Sequence, residues 1–227
     1  DEGWIECSKC KNKVKRISDV GNAWLDAGIV PFSTLPKEWF PADFITESFP
    51  GQFKNWFYSM IAMSTVLKKT NPFKTILGYA TMVDSFGKPF HKSAGNSIEF
   101  VEAADKFGAD VIRWICSRNN PANNINFGSK EADEIRRQFH LMIWNVYNFF
   151  VTYANLDGYT NQEVESSNIL DQWILVRLNQ TIELVTLTLD KFDPYTASHS
   201  IEDFVNDLSL WYVRRSRGRE DKMACHA

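Results

Sequence analysis

Asp84-Ser85-Phe86-Gly87-Lys88-Pro89-Phe90-His91-Lys92-Ser93-Ala94-Gly95-Asn96-Ser97 is the stretch that decides the fold. It is polar and basic and carries two glycines. The apolar run Thr75-Ile76-Leu77-Gly78-Tyr79-Ala80-Thr81-Met82-Val83 precedes it and reads as one strand. Behind it, Ile98-Glu99-Phe100-Val101-Glu102-Ala103-Ala104 opens a helix. Strand, basic loop, helix is the layout of a phosphate-handling loop in an α/β protein. Lys88 and Lys92 can offset phosphate charge, and His91 and Ser93 can donate hydrogen bonds. Gly87 and Gly95 free the backbone to approach or to move. An ordinary hydrophilic loop has the same features, so the neighbouring segments must decide.

Upstream, Phe40 to Glu47 reads as a short strand ending on a carboxylate, and Ser48 to Gln52 as a turn. Lys54 to Lys69 reads as an apolar helix whose basic end suits the helix dipole. Strand, helix, strand, loop, helix is half of a doubly wound parallel sheet. Ligand is then expected beyond the C-terminal ends of the strands, at Glu47 and at the loop. Residues 18–35 read as a connector holding Gly21, Gly28 and Pro31. Downstream, Gly108-Ala109-Asp110 marks a break and a helix restart, with Val111, Ile112, Trp114 and Ile115 facing inward. Asn119-Asn120-Pro121-Ala122-Asn123-Asn124 is a turn-forming linker. From Ser129, apolar residues recur at three- and four-residue spacing. Three helices are expected, one from Ser129, one over Ile169–Lys191 and one begun by Asp193-Pro194. The expected fold class is α/β then all-α: the second half of a Rossmann-like nucleotide-binding fold followed by an α-helical bundle. The expected divisions are a cysteine-bearing piece over 1–17, the α/β part over 18–118, a linker over 119–128 and the bundle over 129–227.

Charge and composition narrow the classes. The net charge of −3 over 227 residues argues against an all-over nucleic-acid coat, while allowing a local basic stripe. No apolar run is long enough to span a membrane, and no export signal opens the chain. Four cysteines are too few for a disulfide framework at this length, so a reducing cytoplasm is the expected setting. Cys7-Ser8-Lys9-Cys10 is half of a zinc knuckle, and two thiolates are half of a tetrahedral site. Both ends read as cut, as in a segment of a longer protein.

Six motifs in order supply the context. They are Trp24-Leu25-Asp26-Ala27-Gly28; Ala42-Asp43-Phe44-Ile45-Thr46-Glu47 with Gln52; Trp56-Phe57-Tyr58 with Ser64-Thr65; Gly95-Asn96; Gly108-Ala109-Asp110-Val111-Ile112-Arg113; and Asp171-Gln172-Trp173-Ile174-Leu175-Val176-Arg177-Leu178-Asn179. Together with the Cys-x-x-Cys, they resemble the class I aminoacyl-tRNA synthetases, the isoleucyl members most. The resemblance covers nearly the whole chain. It implies an ATP-dependent isoleucine–tRNA ligase, working with Mg2+, that forms isoleucyl-adenylate and passes the acyl group to tRNA. It also implies a monomer, with no membrane partner. The basic loop then stands where the family has K-M-S-K-S, and this chain reads Pro89-Phe90-His91-Lys92-Ser93. The second lysine and the last serine remain, and Lys88 lies one place from the lost first lysine. What the resemblance implies is a catalytic role for Lys92, with Ser93 and His91 as supporting donors, and ATP contacts from Lys88, Lys92, Gly95 and Asn96.

Glu47, Gln52 and Trp56 match positions that meet the amino acid and its adenylate. Arg214, Arg215 and Arg217 are candidates for tRNA phosphates. Cys7 and Cys10 match a knuckle that holds Zn2+ in relatives. The family's H-x-G-H is not in this stretch, whose histidines are His91, His140, His199 and His226. The segment alone is therefore expected to be inactive. Two alternatives remain open on the same residues: a non-catalytic relative that binds tRNA, and a valyl or leucyl enzyme.

Overall fold

The computed structural model describes residues 3–15, 21–160 and 166–219. Residues 1–2, 16–20, 161–165 and 220–227 lie outside the described residues. The chain forms two compact units, Asp1–Gly78 and Tyr79–Ala227.

The first unit opens with an antiparallel hairpin of β1 (Trp4–Glu6) and β2 (Lys13–Lys15), with Cys7 and Cys10 in its turn. The connector expected over 18–35 is instead largely helix: α1 runs Ala23–Ser33. Asn22 caps it, its side chain accepting the Trp24 N–H. Gly28 and Pro31 argue against a helix on propensity, but packing decides. Gly28 is buried where α1 meets the later helix α3 (Tyr58–Lys68), and a Cβ there would lie 2.8 Å from the Ser59 carbonyl carbon. Pro31 removes the bond its N–H would donate to the Ala27 carbonyl, but it sits near the C-terminal end of α1, where only two helical residues follow the break. Alanine at position 28 would gain about 1 kcal/mol of helix propensity. It would lose about 1–3 kcal/mol to overpacking against backbone that cannot yield. Gly28→Ala is therefore expected to lower the urea or thermal midpoint, and an unchanged midpoint would show that the two helices can part freely.

β3 (Ala42–Ser48) pairs with β4 (Phe73–Tyr79). The Ala42 N–H donates to the Pro72 carbonyl, and the Thr46 hydroxyl to the Leu77 carbonyl. Both strands therefore advance in the same direction. Between them the expected turn at 48–52 is already helical, as α2 (Phe49–Gln52). A wide, π-helical stretch (Phe53–Phe57) follows and leads into α3. Asn55 departs from helical geometry there, with φ −108° and ψ −106°. Aromatic packing stabilises this irregular entry: Phe49, Phe53, Phe57 and Phe73 are in ring contact with centroids 5.2–6.0 Å apart. Gly78 leaves room for the Phe49 ring, which a Cβ would meet at 2.6 Å.

The run expected as one strand over 75–83 is two. β4 ends at Tyr79, and β5 (Met82–Asp84) belongs to the second unit. Ala80 and Thr81 bond elsewhere, to the Pro121 carbonyl and the Asn124 side chain. β5 pairs in parallel with β6 (Ile125–Phe127), which forms inside the stretch expected as linker. Its short Ile-Asn-Phe alternation was hidden behind an asparagine-rich turn. α4 (Phe100–Phe107) and α5 (Ala109–Arg118) break at Gly108, which has φ 91°. They bury Ala103, Phe107, Val111 and Ile115 with Phe127, Ala132 and Ile135.

The three expected long helices are present. The first comprises α6 (Ser129–Ile135), a π-helical stretch and α7 (Leu141–Leu156). The second is α8 (Ile169–Leu189). The third starts with α9 (Pro194–Asn206), passes through a further π-helical stretch and ends in α10 (Arg214–Ser216). Asp193 caps α9, accepting the Thr196 N–H, and Pro194 occupies the first turn. The bundle is tied to the α/β part through Glu202 on α9. Its carboxylate accepts the Trp114 indole N–H at 2.8 Å and a two-point contact from Arg118 at 2.7 and 3.1 Å. Trp114 also stacks flat on Phe139 at 4.0 Å.

Candidate functional site

β5 delivers its C-terminal residue, Asp84, to the root of the basic loop. The loop then turns back on itself: the Gly87 N–H donates to the Asp84 carbonyl, and Pro89 bridges to Val83. Gly87 and Gly95 have φ 78° and 68°, left-handed values that a side chain would oppose. Lys92-Ser93-Ala94 forms one short helical turn. Phe90, in the place of the family's methionine, packs against the apolar core of the second unit. Its neighbours Lys88, His91, Lys92 and Ser93 are all exposed. The loop thus combines one half-buried anchor with outward donors, an arrangement that can hold a phosphate chain. Lys92 Nζ rests 3.0 Å from Glu99 Oε1, and both side chains are largely exposed. An exposed pair of this kind is worth about 0–1 kcal/mol, so Lys92 is easily released toward an anion.

Asn96 differs from expectation. Its side chain does not face outward with the lysines. Its Nδ2 donates to Asp84 Oδ2 at 3.0 Å and to the Pro89 carbonyl at 3.1 Å, while its Oδ1 accepts the His91 N–H at 2.9 Å. Its polar atoms are used within the loop. Asp84 is the partner that matters. Its Oδ1 also accepts the Phe86 and Lys88 N–H groups, each at 2.9 Å. Asn96 and these backbone donors hold the Asp84 carboxyl below its usual range. The signal for it was present: an aspartate starting Asp-Ser-Phe-Gly has the turn-forming chemistry that ties its own backbone two residues on.

The candidate amino-acid residues lie in the first unit. Glu47 is the penultimate residue of β3, and its Oε1 accepts the Ser48 N–H at 2.7 Å. Gln52 closes α2, and its buried Oε1 has no hydrogen-bond partner. A buried free acceptor is costly unless something fills it. Trp56 is half-buried in the wide helical stretch. These three and the loop residues belong to different compact units.

At the hairpin, N–H groups of Cys10 and Lys9 point at the Cys7 sulfur and hold its thiol below the ordinary value. That favours a thiolate, as a metal ligand requires. Among the described residues no group of three His, Cys, Asp or Glu side chains could hold a metal ion. Cys7 and Cys10 therefore offer half of a zinc set.

In the bundle, Arg214, Arg215 and Arg217 are exposed. The Arg215 guanidinium lies 3.8 Å over the Trp211 ring and Arg217 5.4 Å over Phe149, which fixes their direction while leaving their donors available. Arg219, two residues beyond Arg217, is committed elsewhere. It binds Asp171 at two points, 2.6 and 3.0 Å. Asp171 is 2% exposed and also accepts the Ser166 and Tyr212 hydroxyls. Arg177, from the same nine-residue motif, pairs with Asp207 at 2.8 Å. The motif's charged residues therefore hold helices together.

Comparison with known proteins fits this arrangement. Residues 4–128 match the model of the class I tRNA synthetases (I, L, M and V), and residues 171–226 match the anticodon-binding domain of tRNA ligase. The chain belongs to the class I tRNA synthetases. This synthetase chain is 40% identical over 235 residues to the isoleucine–tRNA ligase of Dehalococcoides mccartyi, covering 96% of this chain and 23% of the relative. It is 35% identical over 246 residues to that of Clostridium tetani, covering 100% and 24%. The chain thus spans about a quarter of the length of these curated relatives. Among solved structures, a leucyl enzyme of Agrobacterium radiobacter in a ternary complex with tRNA and LeuAMS superposes with TM-score 0.74 at 17% identity. It covers 98% of this chain and 30% of that one. The methionyl-tRNA synthetase of Mycobacterium tuberculosis with methionyl-adenylate gives 0.67 at 18%, covering 86% and 40%. At those identities the likeness establishes the fold: the second part of a Rossmann-like domain followed by a helical bundle.

Proposed function

We propose that this chain is part of an isoleucine–tRNA ligase that works in the cytoplasm as a monomer. The observation that carries the reading is 35–40% identity to isoleucine–tRNA ligases over nearly the whole chain. The family's ordered loop, with Lys92 outward, accompanies it. In the first step an isoleucine carboxylate oxygen attacks the α-phosphorus of ATP. The new O–P bond forms as the bond to the bridging oxygen breaks, and pyrophosphate leaves with that electron pair. No proton has to move. The protein's part is positioning and offsetting charge on the five-coordinate phosphorus. Lys92 leaves Glu99 and meets the phosphate oxygens, and Ser93 and the exposed His91 donate beside it. Lys88 adds charge to the same loop, and Gly95 allows the turn to shift. Mg2+, when bound with ATP, offsets phosphate charge.

Glu47 and the free Gln52 acceptor suit the ammonium group of the amino acid, and Trp56 suits an apolar pocket wall. In the second step a tRNA hydroxyl oxygen bonds the acyl carbon, the bond from that carbon to the phosphate oxygen breaks, and AMP departs with its electron pair while the hydroxyl proton passes to the leaving phosphate; Arg214, Arg215 and Arg217 meet tRNA phosphates. Cys7 and Cys10 supply two of the four ligands for Zn2+, and no step passes through it.

Isoleucine-dependent ATP–pyrophosphate exchange by the full-length protein tests the reading. Isoleucine is expected to support exchange, valine less by about 10- to 200-fold, one methylene's worth. The segment alone is expected to be silent. A preference for valine or leucine would reassign the substrate. No exchange with any of the three, alongside tRNA binding, would leave a tRNA-binding relative.

A further inference from the structure

We infer that Asp84 and Asn96 are positioning residues for the loop's chemistry: their side chains form a clasp that closes the basic loop at its root and gives Lys92 one rest position. This deepens the proposed function and rests on it. Thirteen residues from Asp84 to Asn96 carry the lysines, the histidine and the serine, and most are exposed. Such a loop would ordinarily sample many conformations, each ordered residue costing about 1–2 kcal/mol of backbone entropy. Here five hydrogen bonds converge on two side chains. Asp84 Oδ1 takes the Phe86 and Lys88 N–H groups, and its Oδ2 takes Asn96 Nδ2. Asn96 extends the clasp to both sides of Phe90, through the Pro89 carbonyl and the His91 N–H. Phe90, half-buried, packs against the core between those two contacts. The contacts flank the Phe90 anchor immediately before the 92–94 turn. That turn is bounded by Gly95 in a left-handed conformation, so it can rock on the clasp without displacing it. Neither Asp84 nor Asn96 needs to touch substrate to set where Lys92 starts.

The oxygens and nitrogens are arranged so that a swap tests the idea. In Asp84→Asn an oxygen can still take both N–H groups, but the new amide nitrogen faces Asn96 Nδ2, donor against donor. In Asn96→Asp two carboxylates face each other. In the double variant, Asp84→Asn with Asn96→Asp, the amide at 84 donates to the carboxylate at 96, whose second oxygen still takes the His91 N–H; the Pro89 contact alone is not restored, its carbonyl now facing a carboxylate oxygen.

The test is pyrophosphate exchange by the full-length protein, with hydrogen exchange of the loop amides read on the same samples. Each single variant is expected to lower kcat about 10- to 100-fold, the scale of a small misplacement. KM for isoleucine should stay within about two-fold. The double variant should recover about ten-fold over the worse single one. The Phe86, Lys88 and His91 amides should lose protection together in both singles and regain it in the double. Single variants within about two-fold of the parent in kcat would overturn the inference. So would a double variant no better than the singles, or amides that respond one by one. A parent silent with isoleucine overturns the proposed function instead, and is told apart because the clasp amides still loosen together.

Discussion

Replacing Asp171 by alanine is expected to destabilise the second unit by about 3–5 kcal/mol, the usual cost of breaking a buried ion pair from one side. The carboxylate is buried and receives four hydrogen bonds, two from Arg219 and one each from Tyr212 and Ser166. It ties the start of α8 to the stretch after α9 and to the chain beyond α10. Alanine would leave the Arg219 guanidinium, itself mostly buried, without the carboxylate it faces. Urea unfolding of the parent and the variant measures the difference, and a loss below about 1 kcal/mol would show that solvent reaches the site. Burial by itself pushes the Asp171 carboxyl up. The bonds from Arg219, Ser166 and Tyr212, with the Arg219 charge, outweigh it, and the carboxyl sits below its usual value of 3.8. A lowered folded value means the contribution is complete above the ordinary carboxylate range. It is lost as pH falls through the lowered value. The stability gap between the parent and Asp171→Asn should therefore be widest near neutrality and should close well below pH 4, not above it.

Lys92→Ala is expected to lower isoleucine-dependent exchange in the full-length protein by about 10²–10³-fold, or about 2.7–4 kcal/mol, the usual loss on removing one charge-stabilising donor. The effect should fall mainly on kcat, because charge on the phosphorus grows toward the five-coordinate state. Lys92→Arg, which keeps the charge, should retain more activity. Lys88→Ala should cost less, because the Lys88 N–H is part of the clasp while its side chain stands before the Phe90 anchor. If Lys92→Ala stayed within about three-fold of the parent, the loop would not be the phosphate clamp. If Lys88→Ala cost more than Lys92→Ala, the displaced lysine would be the working one. Glu99→Gln is a useful companion: an exposed ion pair contributes little, so activity should change by less than about five-fold.

The loop was legible because its chemistry is local. Glycines, lysines and a serine in that spacing, between a strand and a helix, suggest phosphate whatever surrounds them. Gly108 and the Asp193-Pro194 cap were legible for the same reason, since a left-handed turn and a helix start depend on a few adjacent residues. The candidate site was only partly legible. Lys88, His91, Lys92 and Ser93 face outward as expected, whereas Asn96 faces Asp84 and Arg219 faces Asp171. Both pairings join polar side chains that lie 12 and 48 residues apart, and sequence spacing does not show such pairs.

By itself the sequence determined the family, the strand–loop–helix core of the nucleotide-binding part, the three long helices and the basic residues we propose for phosphate. These follow from short-range periodicity, turn chemistry and residue type. Only the tertiary structure decided that 23–33 is helical in spite of Gly28 and Pro31. It alone split the run at 75–83 into two strands and raised a third strand at 125–127 from a polar turn. The physical reason is shared. A helix packed close enough to exclude a Cβ, or a strand paired with one 43 residues away, draws its stability from contacts that do not exist until the chain has folded.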